Sequence, residues 1–185
     1  IRLYDLTDLP LDFPPTRQLL SALKARGMYY QTLSAADVPA EQRAFAIQQW
    51  RFRASVEPEF FERIITFTYK FTGEQVWIAR IYSSLFWMIG AVFLFLLARD
   101  ITSTDGALAA TAFYLFSPYA ILASRSFQPD PLMVMLIIIF LWAVYQWAQR
   151  PASYFYAILA GLFGGFAIFI KLVAAFFVIG GGVGA

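Results

Sequence analysis

The second part of the chain, from residue 76 to residue 185, consists of long apolar stretches separated by short polar connections. Its charged residues are few, namely Arg80, Arg99, Asp100, Asp105, Arg125, Asp130, Arg150 and Lys171. A helix needs about 20 apolar residues to cross about 30 Å of hydrocarbon. The stretches therefore predict four membrane spans and the start of a fifth, at residues 76–98, 106–124, 131–148, 154–171 and 172–185.

The composition of the whole chain agrees with a membrane protein. Hydrophobic residues make up 60%, charged residues make up 14%, and the mean hydropathy is +0.62. A soluble domain has about 45–50% apolar and about 25% charged residues. We therefore predict an all-α fold, a polytopic membrane helix bundle.

Composition also excludes several kinds of chemistry. The chain has no cysteine and no histidine. Disulfide frameworks, thiolate or imidazole metal sites and Ser-His-Asp catalysis are therefore excluded. The formal net charge of +2 gives no support for a nucleic-acid partner, and we predict none.

Residues 1–75 are more polar and are predicted to form a separate helical loop domain. One helix is expected to start after an N-cap at Thr16 and to end at Gly27, where glycine is a common C-terminal cap. Two more amphipathic helices are predicted at residues 40–54 and 57–71, and Gly73 is predicted to end the second of them. Helices rich in aromatic residues and in charges of both signs are typical of a membrane interface, but ordinary packing within the domain explains them equally well.

The short connections make neighbouring spans antiparallel, so the loops alternate between two membrane faces. Arg99 and Arg150 fall on one face, and Arg125 is alone in the short loop on the other. By the positive-inside rule, residues 1–75 are predicted to be extracytoplasmic. The chain starts without methionine and ends within an apolar stretch, so we expect it to be a piece of a longer membrane protein and inactive alone.

An acidic segment before the first predicted helix is the first candidate site. Asp5, Asp8 and Asp12 lie within eight positions, and two consecutive prolines stiffen the chain after Asp12. Arg17 follows at the start of a helix, where free N–H groups favour anions. This pattern suits the deprotonation of one substrate while a phosphate on another is held, although a solvated surface loop would look the same.

Asp130 and Lys171 are the second and third candidates, and loop counting places both on the face that carries Asp12. Asp12 and Asp130 could line one pocket and there ligate a divalent cation such as Mg²⁺ or Mn²⁺, or divide base and positioning roles. Lys171 is costly in hydrocarbon and could pair with a lipid phosphate or a carboxylate. The structural alternatives are a helix N-cap for Asp130 and snorkelling to the interface for Lys171.

Four segments together resemble the N-terminal part of glycosyltransferases with the GT-C fold, closest to the bacterial relatives of protein O-mannosyltransferases and the lipid A aminoarabinose transferase. The segments are residues 11–18, 77–84, 124–131 and 161–171. The resemblance implies a polyprenyl-phosphate-linked sugar as donor and inversion at the anomeric carbon. The acceptor would be a protein, lipid or glycan. The protein itself would be located in the plasma membrane.

The resemblance also assigns roles to residues. It implies that Asp12 is the catalytic carboxylate, with Asp5 or Asp8 as alternatives, and that Asp130 is the second acidic residue. Lys171 would neutralise the donor phosphate. Apart from the resemblance, Arg17 and Arg125 lie on the same predicted face and could add positive charge for a phosphate. Two other hypotheses remain open. The chain could be a non-catalytic membrane subunit of a larger assembly, or part of a transporter, for which glycines 180–182 would mark a broken helix.

Overall fold

The computed structural model describes residues 4–34, 36–53 and 57–184. Over these residues the chain is all-helical, as predicted, with nine helices and no strand. The helices are α1 (Pro15–Thr32), α2 (Ala40–Arg51), α3 (Phe60–Thr72), α4 (Trp77–Ile101), α5 (Thr104–Phe116), α6 (Pro118–Ala123), α7 (Asp130–Gln149), α8 (Tyr154–Ile170) and α9 (Ala174–Val183).

Both predicted ends of the first helix are wrong. Helix α1 begins at Pro15, whose missing N–H costs nothing in a first turn, so Thr16 lies inside the helix. Gly27 does not end α1, which continues to Thr32. A Cβ atom at Gly27 would collide with the side chain of Trp50 in α2, so this glycine permits close packing of the two helices.

Helix α2 ends at Arg51, and position 54, the predicted last residue, lies outside the described residues. Helix α3 begins at Phe60, three residues after the predicted start, and ends at Thr72. Gly73 follows as its C-cap, as predicted, because its φ of 77° is accessible to glycine without strain. Phe61 and Ile65 form the buried face of α3. Phe61 packs edge-on against Phe127, with ring centroids 5.6 Å apart, and this contact joins α3 to the rest of the bundle.

Helices α4 and α7 are long and apolar enough to cross a membrane, and α8 and α9 are shorter apolar helices. Helix α7 is central, because it packs against α4, α8 and α9. Its buried residues are apolar from Pro131 to Val144, and many apolar side chains of the surrounding helices remain exposed. These features describe a membrane helix bundle.

The apolar stretch at residues 106–124 forms two helices, not the single helix that we predicted. Helix α5 ends at Phe116, Ser117 is extended, and α6 begins at Pro118. Proline has no N–H for the helix ladder and disfavours helical geometry in the preceding residue. Pro118 therefore ends α5 and becomes the first residue of α6.

The two ends of the bundle differ in their polar contacts. At one end, Gln146 donates a hydrogen bond to the Asp100 carboxylate at 2.6 Å, and Tyr145 donates to the Asp100 carbonyl at 3.1 Å. The other end brings together the segment before α1, the α6–α7 connection and Lys171. All the candidate residues that the sequence suggested belong to this second end.

Candidate active site

The segment before α1 is fastened to the bundle by Arg80, which lies in the first turn of α4 and is only 1% exposed. Its guanidinium donates to three backbone oxygens, those of Asp5 at 2.7 Å, Leu6 at 3.1 Å and Leu9 at 3.2 Å. The Asp5 carbonyl also accepts from the Asp8 N–H at 3.3 Å and from Arg125 at 3.1 Å, and the Leu9 carbonyl also accepts from the Leu11 N–H at 2.8 Å. Arg80 therefore adds side-chain hydrogen bonds to turns that the acidic segment already makes, and these bonds tie the turns to α4.

The Asp12 cluster consists of Asp12, Gln18, Arg80 and Arg125. Arg80 Nη2 lies 3.5 Å from Asp12 Oδ1, and Arg125 Nε lies 3.5 Å from Asp12 Oδ2. Gln18 Nε2 donates to Asp12 Oδ1 at 3.3 Å. Each carboxylate oxygen thus faces one guanidinium, and the Asp12 side chain is still 31% exposed.

An open cavity of about 780 Å³ lies beside the Asp12 cluster. Ligand sites in proteins commonly occupy about 300–1,000 Å³. The cavity combines carboxylates, guanidiniums and leucine side chains, and its lining residues are Asp5, Asp8, Leu9, Leu11, Asp12, Arg80, Leu122 and Arg125. The sequence-predicted alternatives Asp5 and Asp8 therefore border the same space as Asp12.

The Lys171 cluster consists of Arg17, Glu57, Asp130 and Lys171. Lys171 Nζ lies 2.9 Å from Asp130 Oδ1 and 3.7 Å from Glu57 Oε1. Arg17 Nη2 donates to the same Glu57 oxygen at 3.0 Å. Two cations and two anions alternate in a chain, and Arg17 contacts this cluster although it is close in sequence to Asp12.

Asp130 is the first residue of α7, and its side chain makes no capping hydrogen bond. One oxygen accepts from Lys171, and the other, Oδ2, is buried without a hydrogen-bond partner among the described residues. Lys171 directly follows α8, and its side chain is 17% exposed. The N-cap alternative therefore fails, and Lys171 is held in an ion pair.

The connection between α6 and α7 links the two clusters. Arg125 at its start contacts Asp12, and Asp130 at its end contacts Lys171. The backbone between them is held by Gln18, whose side-chain oxygen accepts from the Phe127 N–H at 2.9 Å while its NH₂ group donates to the Phe13 carbonyl. The structure thus places Asp12 and Asp130 in adjacent clusters, each with its own cations.

A small cavity of about 40 Å³ lies between α1, the start of α3 and the α6–α7 connection. Glu62 borders it and is 5% exposed, and its carboxyl group accepts a hydrogen bond from the Ser21 hydroxyl at 2.7 Å. Burial raises the pKa of Glu62, and the Ser21 hydrogen bond opposes that shift. The part of the chain before residue 76 therefore contributes a buried acidic group close to the Lys171 cluster.

The predicted divalent cation does not fit these contacts. The Asp12 carboxylate faces two guanidiniums and that of Asp130 faces an ammonium group, so positive charge already occupies the side where a cation would bind. Within residues 4–34, 36–53 and 57–184, no three acidic, cysteine or histidine residues come together in an arrangement that could hold a metal ion. We therefore assign no step to a metal.

Sequence reasoning missed the contributions of Glu57 and Gln18. The sequence predicts Glu57 to be the first residue of an amphipathic helix. In the structure it lies just before α3 and contacts both Arg17 and Lys171. Gln18 is completely buried and serves two backbone groups, the nearby Phe13 carbonyl and the distant Phe127 N–H. The partner Phe127 is 109 positions away, so the sequence does not reveal this contact. The one available signal is that Gln18 is a polar residue on the face of α1 that becomes buried.

Comparison with known proteins identifies one family. A search of curated proteins and a search of solved structures give no match. The family model of dolichyl-phosphate-mannose-protein mannosyltransferases matches residues 56–182, which is more than half of the chain. The match includes Glu57, Arg125, Asp130 and Lys171, whereas Asp12 precedes it. The chain therefore belongs to the dolichyl-phosphate-mannose-protein mannosyltransferase family, and it is a membrane glycosyltransferase of the mannosyltransferase type.

Proposed function

We propose that this protein transfers a sugar from a polyprenyl-phosphate-linked donor to an acceptor hydroxyl or amine, with inversion at the anomeric carbon. The acceptor is carried by a protein, lipid or glycan. The observation that supports this function best is the Asp12 carboxylate, held between Arg80 and Arg125 at the edge of an open cavity on a bundle of apolar helices. Membership of the family adds the lipid-linked sugar donor.

In the proposed reaction, the acceptor oxygen or nitrogen attacks the anomeric carbon as the acceptor proton passes to Asp12. The new glycosidic bond forms while the bond between that carbon and the donor phosphate oxygen breaks. The bonding electron pair leaves with the polyprenyl phosphate. Attack on the side opposite to the leaving group inverts the anomeric configuration.

Asp12 is suited to accept this proton because its carboxylate is both fixed and accessible. Gln18 and the two arginines restrain it, and about a third of its side chain remains exposed. A base must lie within hydrogen-bond reach of the proton that it removes. Asp5 and Asp8 line the same cavity and are the alternative bases. Asp130 is assigned a positioning role through Lys171.

The departing phosphate gains negative charge, and cations close to it lower the barrier. Lys171, Arg17 and Arg125 are the proposed phosphate-binding residues. Arg125 reaches the Asp12 cluster, while Lys171 and Arg17 meet at Glu57. Charge-assisted hydrogen bonds from such groups to phosphate are stronger than neutral ones.

We place this chemistry on the extracytoplasmic side of the plasma membrane. Arg99 and Arg150 lie near the end opposite to the Asp12 cluster, where they line one cavity with Asp100 and Gln146. Cytoplasmic loops of membrane proteins are enriched in such cations. Residues 1–75 would then form an extracytoplasmic domain that covers the membrane bundle of residues 76–185.

The test is an Asp12→Asn variant of the intact membrane protein, assayed for sugar transfer in isolated membranes. General-base catalysis contributes about 10²–10⁴-fold to a rate, so transfer should fall by at least about a hundredfold at unchanged protein level. Asp105→Asn removes one exposed carboxylate from the first turn of α5 and should leave transfer unchanged. Full activity of Asp12→Asn would remove Asp12 from the mechanism, and Asp5→Asn and Asp8→Asn would then identify the base.

A further inference from the structure

We propose that Glu57 is an internal counter-ion of the donor site, and that the donor phosphate takes its place between Arg17 and Lys171. The inference rests on the proposed phosphate-binding role of these two cations. It assigns Glu57 a role that neither the sequence pattern nor the family match provides. The role is to occupy the phosphate position before the donor arrives and to make donor binding an exchange of one anion for another.

The first argument is geometric. A single oxygen, Glu57 Oε1, lies 3.0 Å from Arg17 Nη2 and 3.7 Å from Lys171 Nζ. Arg17 belongs to α1 and Lys171 follows α8, so this carboxylate oxygen joins cations from distant parts of the chain. One phosphate oxygen at the same point would meet both cations in the same way, and a phosphate brings further acceptor oxygens and more negative charge.

The second argument concerns access. The Glu57 side chain is 21% exposed and that of Arg17 is 44% exposed, so the pair is open to solvent on one side. Partly exposed ion pairs are weak, because water screens them and both side chains lose freedom when they pair. A ligand with more charge can therefore displace the Glu57 side chain without a large energetic loss.

The third argument is that Lys171 and the start of α3 keep other contacts when the Glu57 side chain leaves. Lys171 retains its shorter contact with Asp130 at 2.9 Å. The start of α3, just after Glu57, is anchored by Phe60, whose ring packs edge-on against Phe166 of α8 with centroids 4.9 Å apart. The exchange thus requires a side-chain rotation of Glu57 and no unpacking of α3.

The test measures equilibrium binding of a polyprenyl monophosphate without sugar to the intact protein in nanodiscs, with the matching uncharged polyprenol as reference. Glu57→Gln keeps the size of the side chain and removes its charge, so binding should become about three- to tenfold tighter. Glu41→Gln removes an exposed charge from the first turn of α2 and should leave binding unchanged. Lys171→Met should weaken binding of the polyprenyl monophosphate.

Glu57→Asp provides a second variant. It keeps the negative charge but shortens the side chain by one methylene group, which moves the carboxylate away from Arg17 and Lys171. It should bind the polyprenyl monophosphate with an affinity between those of the wild type and Glu57→Gln. Thermal unfolding of each variant shows whether it is folded before its affinity is compared.

The outcomes separate this inference from the proposed function. If Lys171→Met weakens binding but Glu57→Gln and Glu57→Asp bind as the wild type does or more weakly, the counter-ion role is wrong and the donor site stands. If the wild type binds the polyprenyl monophosphate no better than the polyprenol, the donor assignment fails, and the role of Glu57 fails with it.

Discussion

The helices before residue 76 and those around α7 are stabilised by different interactions. Helices α1 and α3 bury a set of polar side chains, namely Gln18, Ser21, Lys24, Glu62 and Thr66, several of which pair with each other or with backbone groups. The buried residues of α7, α8 and α9 are apolar or glycine. The first region therefore depends on hydrogen bonds between buried polar groups in addition to its apolar contacts, and the second depends on shape.

This difference follows from the solvent of each region. Lipid tails are as apolar as leucine, so helices within a bilayer associate mainly through close packing, which small residues allow. Ala167 and Ala174 serve this purpose, because both are fully buried in the core around α7. In the region before residue 76, a buried polar group costs free energy unless it finds a partner. The two regions should consequently respond to different kinds of substitution.

The largest effect is expected for Arg80→Met, which removes three hydrogen bonds to carbonyls of the acidic segment and one partner of Asp12. A hydrogen bond that involves a charged group contributes about 1.5–3 kcal/mol. We expect a large loss of thermal stability for the intact protein in nanodiscs and faster trypsin cleavage at Arg17. Arg99→Met in the exposed last turn of the same helix is the matched control. Equal stability of the two variants would contradict the proposed dependence on hydrogen bonding.

An intermediate effect is expected for Gly164→Ala in α8. The added Cβ would lie 2.8 Å from a ring carbon of Phe140 and 3.2 Å from Val178, and overpacking of this kind costs about 1–3 kcal/mol. The next residue provides the control, because a Cβ at Gly165 meets nothing within 4 Å. Gly165→Ala should be neutral or stabilising, since alanine favours helix more than glycine does. If unfolding temperatures fall equally, close packing does not explain the bundle.

The smallest effect is expected for Glu62→Gln and appears in the pH dependence of stability. Burial raises the pKa of Glu62 in the folded state above its ordinary value of 4.5. The folded state therefore holds this proton more tightly, and the stabilisation is complete below pH 4.5 and is lost as the pH rises through the raised pKa. Glutamine does not titrate and still accepts from Ser21. The unfolding temperature of the variant should therefore depend less on pH above pH 4.5 than that of the wild type.

Glu41→Gln is again the control for this measurement, because the side chain is exposed. It should retain the pH dependence of the wild type. If the unfolding temperature of Glu62→Gln depends on pH in the same way as that of the wild type, groups other than Glu62 cause the pH dependence.

Features with a local cause could be predicted from the sequence. Gly73 ends α3 because its backbone conformation is local, and α4 and α7 follow from uninterrupted apolar stretches. The break at Pro118 is equally local, because proline lacks the N–H that would continue the helix, and the sequence is sufficient to predict it. A glycine after an apolar pattern can either end a helix or permit close contact with another helix. Gly27 does the second, and this cannot be predicted locally because the contact is with Trp50 in α2.

The candidate site was predictable in its residue types but not in its pairing. Asp130 and Lys171 stand out because charged groups are unusual next to apolar helices. Asp12 stands out because it is one of three closely spaced carboxylates and precedes two prolines at a helix start. The sequence alone gave no means of deciding that Arg17 contacts Glu57 while Arg125 contacts Asp12. Such pairs join residues far apart in the chain, and their geometry is fixed only when the helices pack.

Gln18 illustrates how strongly one buried amide can restrict the residue types that a position tolerates. Its oxygen serves the Phe127 N–H while its nitrogen serves the Phe13 carbonyl and Asp12. Glutamate would offer no donor at neutral pH, lysine no acceptor, and asparagine would be too short to reach both sides. Homologues that keep this fold should therefore retain glutamine here, or replace it only together with a change in the backbone on one side of it.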